Sequence, residues 1–259
     1  MDLSADLSFA IETCREAGKL VLNHFKRGVE VTMKPDKTPV TLADKEGEEL
    51  IRKRIEAKFP DDAILGEEEG ASTEKNSKRR WIIDPVDGTY NFARGIPIFS
   101  ILLALEVEGD ITLGVVHNPA LDELYYAERG KGAYRNGERM KVSRVSRIED
   151  SLFLFGGPNR ILDAGLWEGF TQCIAKSYRQ RGLGDYLNFA YIFEGKAEAT
   201  IEVGLYAWDL APMKIIVEES GGRFTDLDGG SSVYKGHCLV SNGIVHDAYL
   251  NLLRKQESA

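Results

Sequence analysis

The sequence is poor in cysteine, and its cysteines form no pattern. Cys14, Cys173 and Cys238 are the only three in 259 residues, and none belongs to a Cys-x-x-Cys or Cys/His spacing. Such spacings mark structural zinc sites, so zinc is not indicated. Widely spaced cysteines in odd number predict reduced, mostly buried thiols in a cytoplasmic protein.

Long apolar runs and an excess of basic residues are also missing. No run is long enough to cross a membrane, and the polar, acidic N-terminus does not resemble a signal peptide. The net charge of −8 argues against a general nucleic-acid binder, which needs a basic face. One basic cluster, Lys75, Lys78, Arg79 and Arg80, is interpreted as a solvated loop before a strand rather than a nuclear-localisation signal.

The remaining composition is that of an ordinary globular protein. Apolar residues make up 43% and charged residues 29%, and the length suffices for one large domain or two medium ones. Residues 1–145 predict two helices and a largely antiparallel sheet. Residues 146–259 alternate strand and helix, which favours a layered α/β arrangement. We place a boundary near residue 145 within one compact unit.

Periodicity and turn residues give the element predictions. An amphipathic helix is expected from Leu3 to Phe25, ended by Gly28, and Thr41 with Asp44 predicts a capping box before a second helix that reaches Phe59. Asn136-Gly137 predicts a hairpin. Loops are expected at 34–39 and 70–78. Strands are expected at 29–33, 63–66, 81–83, 100–107, 111–117, 124–128, 132–135, 152–155, 197–203 and 238–240. Later helices are expected at 161–176, 186–194, 209–220 and 245–255.

Residues 81–89, Trp-Ile-Ile-Asp-Pro-Val-Asp-Gly-Thr, are the most informative segment. A buried strand delivers Asp84 and Asp87, whose carboxylates are hard oxygen ligands suited to Mg²⁺. Pro85 is expected to stop strand pairing and fix a turn. Gly88 allows close backbone approach to an anion, and free amides at the start of a helical turn bind anions. The segment predicts metal-assisted chemistry on a phosphate.

Two more acids occupy comparable positions. Glu67 follows a predicted strand, and Asp209 opens a predicted helix after Tyr206-Ala207-Trp208. Clustered carboxylates repel one another unless a cation neutralises them, and two Mg²⁺ ions roughly 3.5–4 Å apart would do so. Alternatively, Asp209 caps a helix and Glu67 belongs to a solvated Glu-Glu-Glu face.

Taken together, the motifs resemble those of the inositol monophosphatase superfamily of Mg²⁺-dependent, lithium-sensitive phosphatases. The resemblance covers nearly the whole chain. It rests on Gly66-Glu67-Glu68, on Asp84-Pro85-Val86-Asp87-Gly88-Thr89 with Tyr90-Asn91-Phe92, and on Trp208-Asp209-Leu210-Ala211 with Glu219-Ser220-Gly221-Gly222. It implies an α/β fold, a layered αβαβα sandwich of the inositol monophosphatase and fructose-1,6-bisphosphatase type. It also implies two to three Mg²⁺ per site, a small-molecule phosphate ester as partner and a homodimer.

The resemblance also implies metal ligands. The first metal would be held by Glu67, Asp84 and the Val86 carbonyl. The second would be held by Asp84, Asp87 and Asp209, and Glu67 would also touch a third. Where the family's second motif continues Ala-Gly, this chain has Pro212-Met213; we expect Pro212 in the first helical turn, where proline is tolerated.

Water activation and phosphate binding follow from the same resemblance. Thr89 would help Glu67 to orient and deprotonate the attacking water, and Asp44 would support this water from the second helix. The amides of Gly88 and Thr89 would receive the phosphate. No serine, cysteine or histidine nucleophile is required.

Residues 146–259 are expected to recognise the leaving group of the substrate. Arg181-Gly182-Leu183-Gly184-Asp185-Tyr186 lacks the full dinucleotide fingerprint; by resemblance it lines the substrate pocket, and its Gly-Asp step resembles the histidinol-phosphate phosphatase branch. Asp185 and Glu202 would pair with the ammonium and imidazole of histidinol phosphate, with Asn188 as a weaker candidate. Inositol, a neutral polyol, gains little from a buried carboxylate. Asp185 could equally be a helix N-cap, and the two roles are compatible.

The sequence therefore predicts a histidinol-phosphatase of histidine biosynthesis. Inositol-1-monophosphatase is the alternative, and fructose-1,6-bisphosphatase and adenosine bisphosphate phosphatase are less favoured. A non-catalytic metal- or phosphate-binding relative would be expected to lack a ligand, and all are present.

Overall fold

A computed structural model describes residues 4–28, 32–33, 39–72 and 78–254. Within these ranges no helix is both long and apolar enough to cross a membrane. The strand predicted at 29–33 is described only as β1, Thr32–Met33, which pairs with β2, Pro39–Val40. Residues 34–38 and 73–77, the centres of two predicted loops, and residue 255 of the last predicted helix lie outside the described residues.

An eight-stranded sheet forms the centre of the first half. Its order is β10-β9-β8-β7-β6-β5-β3-β4, and every neighbouring pair is antiparallel except β3 with β5. The strands are β3 Ala63–Gly66, β4 Gly70–Ala71, β5 Arg79–Asp87, β6 Ser100–Val107, β7 Asp110–Asn118, β8 Glu123–Glu128, β9 Gly132–Arg135 and β10 Glu138–Arg139. The largely antiparallel sheet and its Asn136-Gly137 hairpin are confirmed.

Two helices cover the outer face of this sheet. Helix α1, Ala5–Arg27, ends at Gly28, whose φ of 76° suits glycine. Helix α2, Leu42–Lys58, begins with the predicted capping box, in which Thr41 and Asp44 bond each other's backbone. Leu7, Cys14 and Val21 of α1 pack with Ile51 and Ile55 of α2 in the outer core.

A five-stranded sheet forms the second half, in the order β12-β11-β13-β15-β14. Its strands are β11 Leu152–Phe155, β12 Arg179–Arg181, β13 Ala199–Val203, β14 Arg223–Thr225 and β15 His237–Ser241. The remaining helices are α3 Thr89–Ala93, α4 Pro158–Asp163, α5 Trp167–Lys176, α6 Asp185–Phe193, α7 Ala207–Glu219 and α8 His246–Leu253. A 3₁₀ turn spans Ile148–Asp150.

The buried apolar side chains form three clusters, and these clusters define the layers of the fold. Helices α6 and α7 lie between the two sheets, and α5 and α8 pack on the outer face of the smaller one. With α1 and α2 on the far side, this is the predicted αβαβα sandwich. Cys14, Cys173 and Cys238 are buried and unpaired, as expected. The boundary near residue 145 stays a prediction.

Three of the local expectations that were wrong concern helices and the start of β5. The helix predicted at 161–176 is two helices, because Gly165 takes a φ of 71° between α4 and α5. Arg79 and Arg80 begin β5 rather than lying in a loop. Both are paired there, Arg79 with Asp6 and Asp62 and Arg80 with Glu106. The third is the position of Pro212.

Pro212 is the sixth residue of α7, not a first-turn residue. There it removes one helical hydrogen bond, a loss that a free N1 position would not incur. The turn around Pro212 lies against the middle of β7. A Cβ built on Gly114 would lie 2.7 Å from Pro212 Cα and 2.9 Å from its carbonyl oxygen. Close backbone approach at Gly114 therefore sets the distance between α7 and the large sheet.

We predict that Gly114→Ala lowers the free energy of unfolding by about 1–3 kcal/mol, the usual cost of overpacking. The methyl group would have to push α7 away from the sheet, because it would meet two backbone atoms of Pro212 as well as the Ile215 side chain. Urea unfolding monitored by fluorescence measures this. Gly157→Ala is the matched control, since its Cβ would meet only Arg160 at 3.8 Å. Equal effects of the two substitutions would contradict the packing argument.

Candidate active site

A bulge in β5 brings two acids to one face. Asp84 pairs with Leu102 and Asp87 with Ser100, so β5 advances three residues while β6 advances two. In a regular strand, residues three apart point to opposite faces, and one extra residue returns them to the same face. The prediction that strand pairing stops at Pro85 was wrong. The strand is interrupted at Pro85 and Val86, where a missing N–H is tolerated, and pairing resumes at Asp87.

Asp209 joins this pair from the first turn of α7. Each of Asp84, Asp87 and Asp209 offers an oxygen atom that lies within 4.8 Å of the others. Asp209 Oδ2 also accepts a hydrogen bond from the Tyr206 backbone at 2.6 Å, and Asp84 Oδ1 accepts one from Val86 N at 2.9 Å. The capping role of Asp209 and its place in the cluster therefore coexist.

The cluster concentrates negative charge in a partly buried site. Burial, and then repulsion from neighbouring acids, raises the pKa of Asp84 and Asp87 well above the usual range. Burial raises the pKa of Asp209 to about 7. A divalent cation would relieve this repulsion, and three carboxylates are the hard oxygen donors that Mg²⁺ prefers. The residues present therefore fit a metal ion.

Glu67 lies beside the three-acid cluster, in the turn after β3. It is half-buried, and its backbone N–H donates to Ile83 O at 3.2 Å. Its charge contributes to the raised pKa of Asp84 and of Asp209, which places it near both. Among the described residues it is not within the 4.8 Å group. Its roles as a metal ligand and in water activation stay predictions.

Thr89 connects the bulged segment to α2. Its Oγ1 lies 3.1 Å from Asp44 Oδ1 and 3.0 Å from Val86 O, so its one proton is donated to either acceptor. The other Asp44 oxygen accepts from Thr41 N at 2.8 Å and from Thr41 Oγ1 at 2.6 Å. Asp44 is fully buried, and burial raises its pKa. The structure thus brings the predicted Thr89 and Asp44 into contact.

Gly88 occupies a position that other residues would strain. Its φ is 84°, and a Cβ there would lie 2.9 Å from Ile98 O and 3.2 Å from Asp185 Cγ. It precedes α3, which has only five residues. Binding of phosphate by the Gly88 and Thr89 amides stays a prediction.

A cavity of about 220 Å³ adjoins Asp87 and Asp209. Its other lining residues include Gly156, Gly157, Arg160, Gly184, Asp185, Tyr186, Phe189, Glu202, Leu205 and Met213. Both predicted acids of the substrate pocket, Asp185 and Glu202, therefore face one space beside the cluster.

Asp185 is not the N-cap of α6, because Gly184 holds that position. Its carboxylate instead accepts a hydrogen bond from Asn91 Nδ2, from the segment after the bulge. Its φ of 48° lies in the left-handed region. Burial raises its pKa to about 6, and the positive charge of Arg160 opposes this shift.

Glu202 is buried more completely than Asp185. Burial raises its pKa to about 8, against the hydrogen bond from Asn188 Nδ2 at 2.6 Å. A Cβ built on Gly156 would lie 1.8 Å from Glu202 Oε2, so a side chain at position 156 would displace this carboxyl group from its present position. Asn188 Oδ1 also accepts from Leu183 N and Gly184 N at 3.2 and 3.3 Å. Asn188 thus supports Glu202 and the pocket loop from behind.

Three residues of the site, Arg160, Tyr186 and Ser100, were assigned no role of their own from sequence. Arg160 is the cation that lines the cavity, and its Nη1 donates to Gly204 O at 3.0 Å. Tyr186 N donates to Asp87 Oδ2 at 3.0 Å, and Ser100 Oγ donates to the same oxygen at 3.2 Å. The contacts of Arg160 with Gly204 and of Tyr186 with Asp87 join segments that are far apart in sequence, and no local sequence pattern predicts them.

Comparison with known proteins agrees with the motifs. The inositol monophosphatase family model matches residues 2–258. A histidinol-phosphatase of Chlorobaculum parvum is 42% identical over 240 residues, 92% of each chain. An inositol-1-monophosphatase of Mesorhizobium japonicum is 34% identical over 267 residues and covers 100% of both chains. The crystal structure of the extragenic suppressor protein suhB from Bartonella henselae matches with a TM-score of 0.90 and 31% identity, over 97% of this chain and 99% of that one. With its acid cluster, its layered fold and this match over nearly its full length, the chain belongs to the inositol monophosphatase family.

Proposed function

We propose that the protein is a Mg²⁺-dependent phosphomonoesterase whose substrate is histidinol phosphate. The family is one of metal-dependent phosphatases acting on small phosphate esters, and the protein is a phosphoric monoester hydrolase on that ground. The observation that carries the finer proposal is the pair of buried acids, Asp185 and Glu202, in the cavity beside the acid cluster.

The charge of the pocket favours a cationic leaving group. Burying a carboxylate is costly unless a partner compensates it, and burial raises the pKa of both Asp185 and Glu202. An ammonium or imidazolium group would supply that compensation, whereas a neutral polyol offers only hydroxyl groups. Similarity to proteins named histidinol-phosphatase supports the same substrate.

Inositol 1-phosphate is the second candidate. Its support is the match, over the whole length of both chains, to a protein named inositol-1-monophosphatase. A non-catalytic relative is disfavoured because Glu67, Asp84, Asp87, Thr89 and Asp209 are all present. Dimerisation and lithium sensitivity stay predictions.

The residues divide the chemistry among them. Bound Mg²⁺ would activate a water and neutralise charge on the phosphate and the leaving oxygen. Asp84, Asp87, Asp209 and the nearby Glu67 are assigned to hold it. Thr89, whose hydroxyl faces Asp44, is assigned to orient the water. Two Thr41 donors keep the Asp44 carboxylate in place for that contact.

Asp87→Asn should lower Mg²⁺-dependent phosphate release by on the order of 100-fold at saturating Mg²⁺, because an amide is a weak ligand. The side chain keeps its shape and an acceptor for Tyr186 N, so the fold should persist in circular dichroism. Asp247→Asn, an exposed acid paired with Arg223, is the charge-matched control. Near-normal turnover by the Asp87 variant would refute its role as a ligand.

Relative kcat/KM for histidinol phosphate and inositol 1-phosphate tests the substrate. We expect the wild-type protein to prefer histidinol phosphate. Asp185→Asn should reduce that preference about tenfold or more, the value of a charged hydrogen bond. Asp163 is exposed on α4, so Asp163→Asn should change kcat/KM for neither substrate. A wild-type preference for inositol phosphate would remove the histidinol assignment and leave the phosphatase class in place.

Glu202→Gln should alter how stability depends on pH. The unfolded chain ionises Glu202 near its usual pKa of 4.5, whereas the folded protein keeps the proton up to about 8. The unfolded state therefore binds fewer protons within this window, and Glu202 makes stability fall as pH rises through it. Glutamine removes that contribution, so the variant should gain stability over wild type between pH 5 and pH 9.

Urea unfolding without Mg²⁺ at both pH values measures this gain. Glu56→Gln, on the exposed face of α2, controls for the lost charge. Parallel pH dependences for wild type and the Glu202 variant would show that Glu202 is not a buried, uncompensated acid.

A further inference from the structure

Tyr186 makes two connections that no sequence motif indicates. It is fully buried at the second position of α6. Its backbone N–H donates to Asp87 Oδ2 at 3.0 Å. Its phenol donates to Glu123 Oε2 at 2.9 Å and accepts from Asn118 Nδ2 at 2.8 Å. One residue thus links a carboxylate of the acid cluster to the adjoining ends of β7 and β8.

The partners of the phenol are themselves held in place. Asn118 Nδ2 also donates to Pro97 O at 2.9 Å, and its Oδ1 accepts from Ala120 N at 2.8 Å. Glu123 accepts a hydrogen bond from Arg135 Nη2 at 2.6 Å. The phenol is therefore anchored to a network on the large sheet rather than to a mobile side chain.

The start of α6 needs such an anchor. Gly184 and Asp185 have φ values of 82° and 48°, and no side chain caps the helix. A non-glycine residue in the left-handed region is strained and persists only where the surroundings fix it. Asn91 holds the Asp185 side chain, and the Tyr186 phenol holds the next residue. The backbone N–H that reaches Asp87 is fixed by these two contacts.

We propose that Tyr186 is a positioning residue: through its own backbone N–H, its anchored phenol fixes the Asp87 carboxylate and so raises the Mg²⁺ affinity of the site. This inference rests on the proposed function in taking Asp87 as a metal ligand and Mg²⁺ as the metal. Groups that orient metal ligands commonly change metal affinity when they are removed. Here the orienting group is a hydroxyl at the far end of the same residue.

Tyr125 provides a matched control. It is also fully buried, its ring centroid is 6.3 Å from that of Tyr186, and its phenol donates to Glu194 at 3.0 Å. Arg135 pairs with both Glu123 and Glu194. Tyr125→Phe therefore removes an equivalent hydroxyl from the same network, but Tyr125 lies within β8 rather than at the start of α6.

Calorimetric titration of the metal-free full chain with Mg²⁺ tests the proposal. Tyr186→Phe should raise the Kd for Mg²⁺ about threefold to tenfold, at the lower end of the effect of losing a group that orients a ligand. Tyr125→Phe should leave it within about twofold, although both variants should lower the urea midpoint. At saturating Mg²⁺ the Tyr186 variant should recover most of its kcat, which a general structural defect would not allow.

Glu123→Ala and Glu194→Ala form a second pair, which decides the matter if Tyr186→Phe folds poorly. Only Glu123→Ala removes the acceptor of the Tyr186 phenol, so only Glu123→Ala should weaken Mg²⁺ binding. Equal Mg²⁺ affinities within each pair would overturn the role of Tyr186 and leave the proposed function intact. Absence of Mg²⁺ binding by the wild-type chain would overturn the metal assignment and this inference together.

Discussion

Repulsion among clustered, partly buried carboxylates is the constraint on which the site depends. The fold holds one oxygen atom from each of Asp84, Asp87 and Asp209 within 4.8 Å of the others. The bulge fixes the first two on one face of β5, and the start of α7 fixes the third. Without a cation, protons must be taken up to relieve the repulsion, and the raised pKa values express that demand.

The layered fold supplies the rigidity that this arrangement requires. Helix α7 lies between the sheets, and its backbone packs closely against Gly114 of β7. Helix α6 is tied to the same sheet through Tyr186. The acids therefore rest on strand and helix ends that are anchored by the core, whereas Asp185 and Glu202 line the adjoining cavity. In the proposed function, the acid cluster and the residues assigned to the leaving group are therefore neighbours, and the start of α6 contacts the segment that carries the cluster.

Much of this was predictable, because the relevant signals are local. Apolar periodicity located the main helices and strands, and the Thr41 capping box placed Asp44 correctly. The acids of the cluster were identified by their positions at the ends of elements. The bulge was not predicted, because a proline usually indicates the end of strand pairing. Only the register of β5 with β6 shows that pairing resumes after Pro85. Arg160 and Tyr186 were missed because each acts through a contact with a distant segment.

The glycine at position 156 has a consequence for how this pocket could diverge. With Glu202 in its present position, a Cβ at position 156 would overlap its carboxyl group. A larger residue at 156 therefore requires the glutamate to move or to be shortened. Shortening the glutamate first would open a void and leave Asn188 Nδ2 without its acceptor. The two positions are therefore expected to show epistasis, because the effect of a replacement at one depends on the residue at the other.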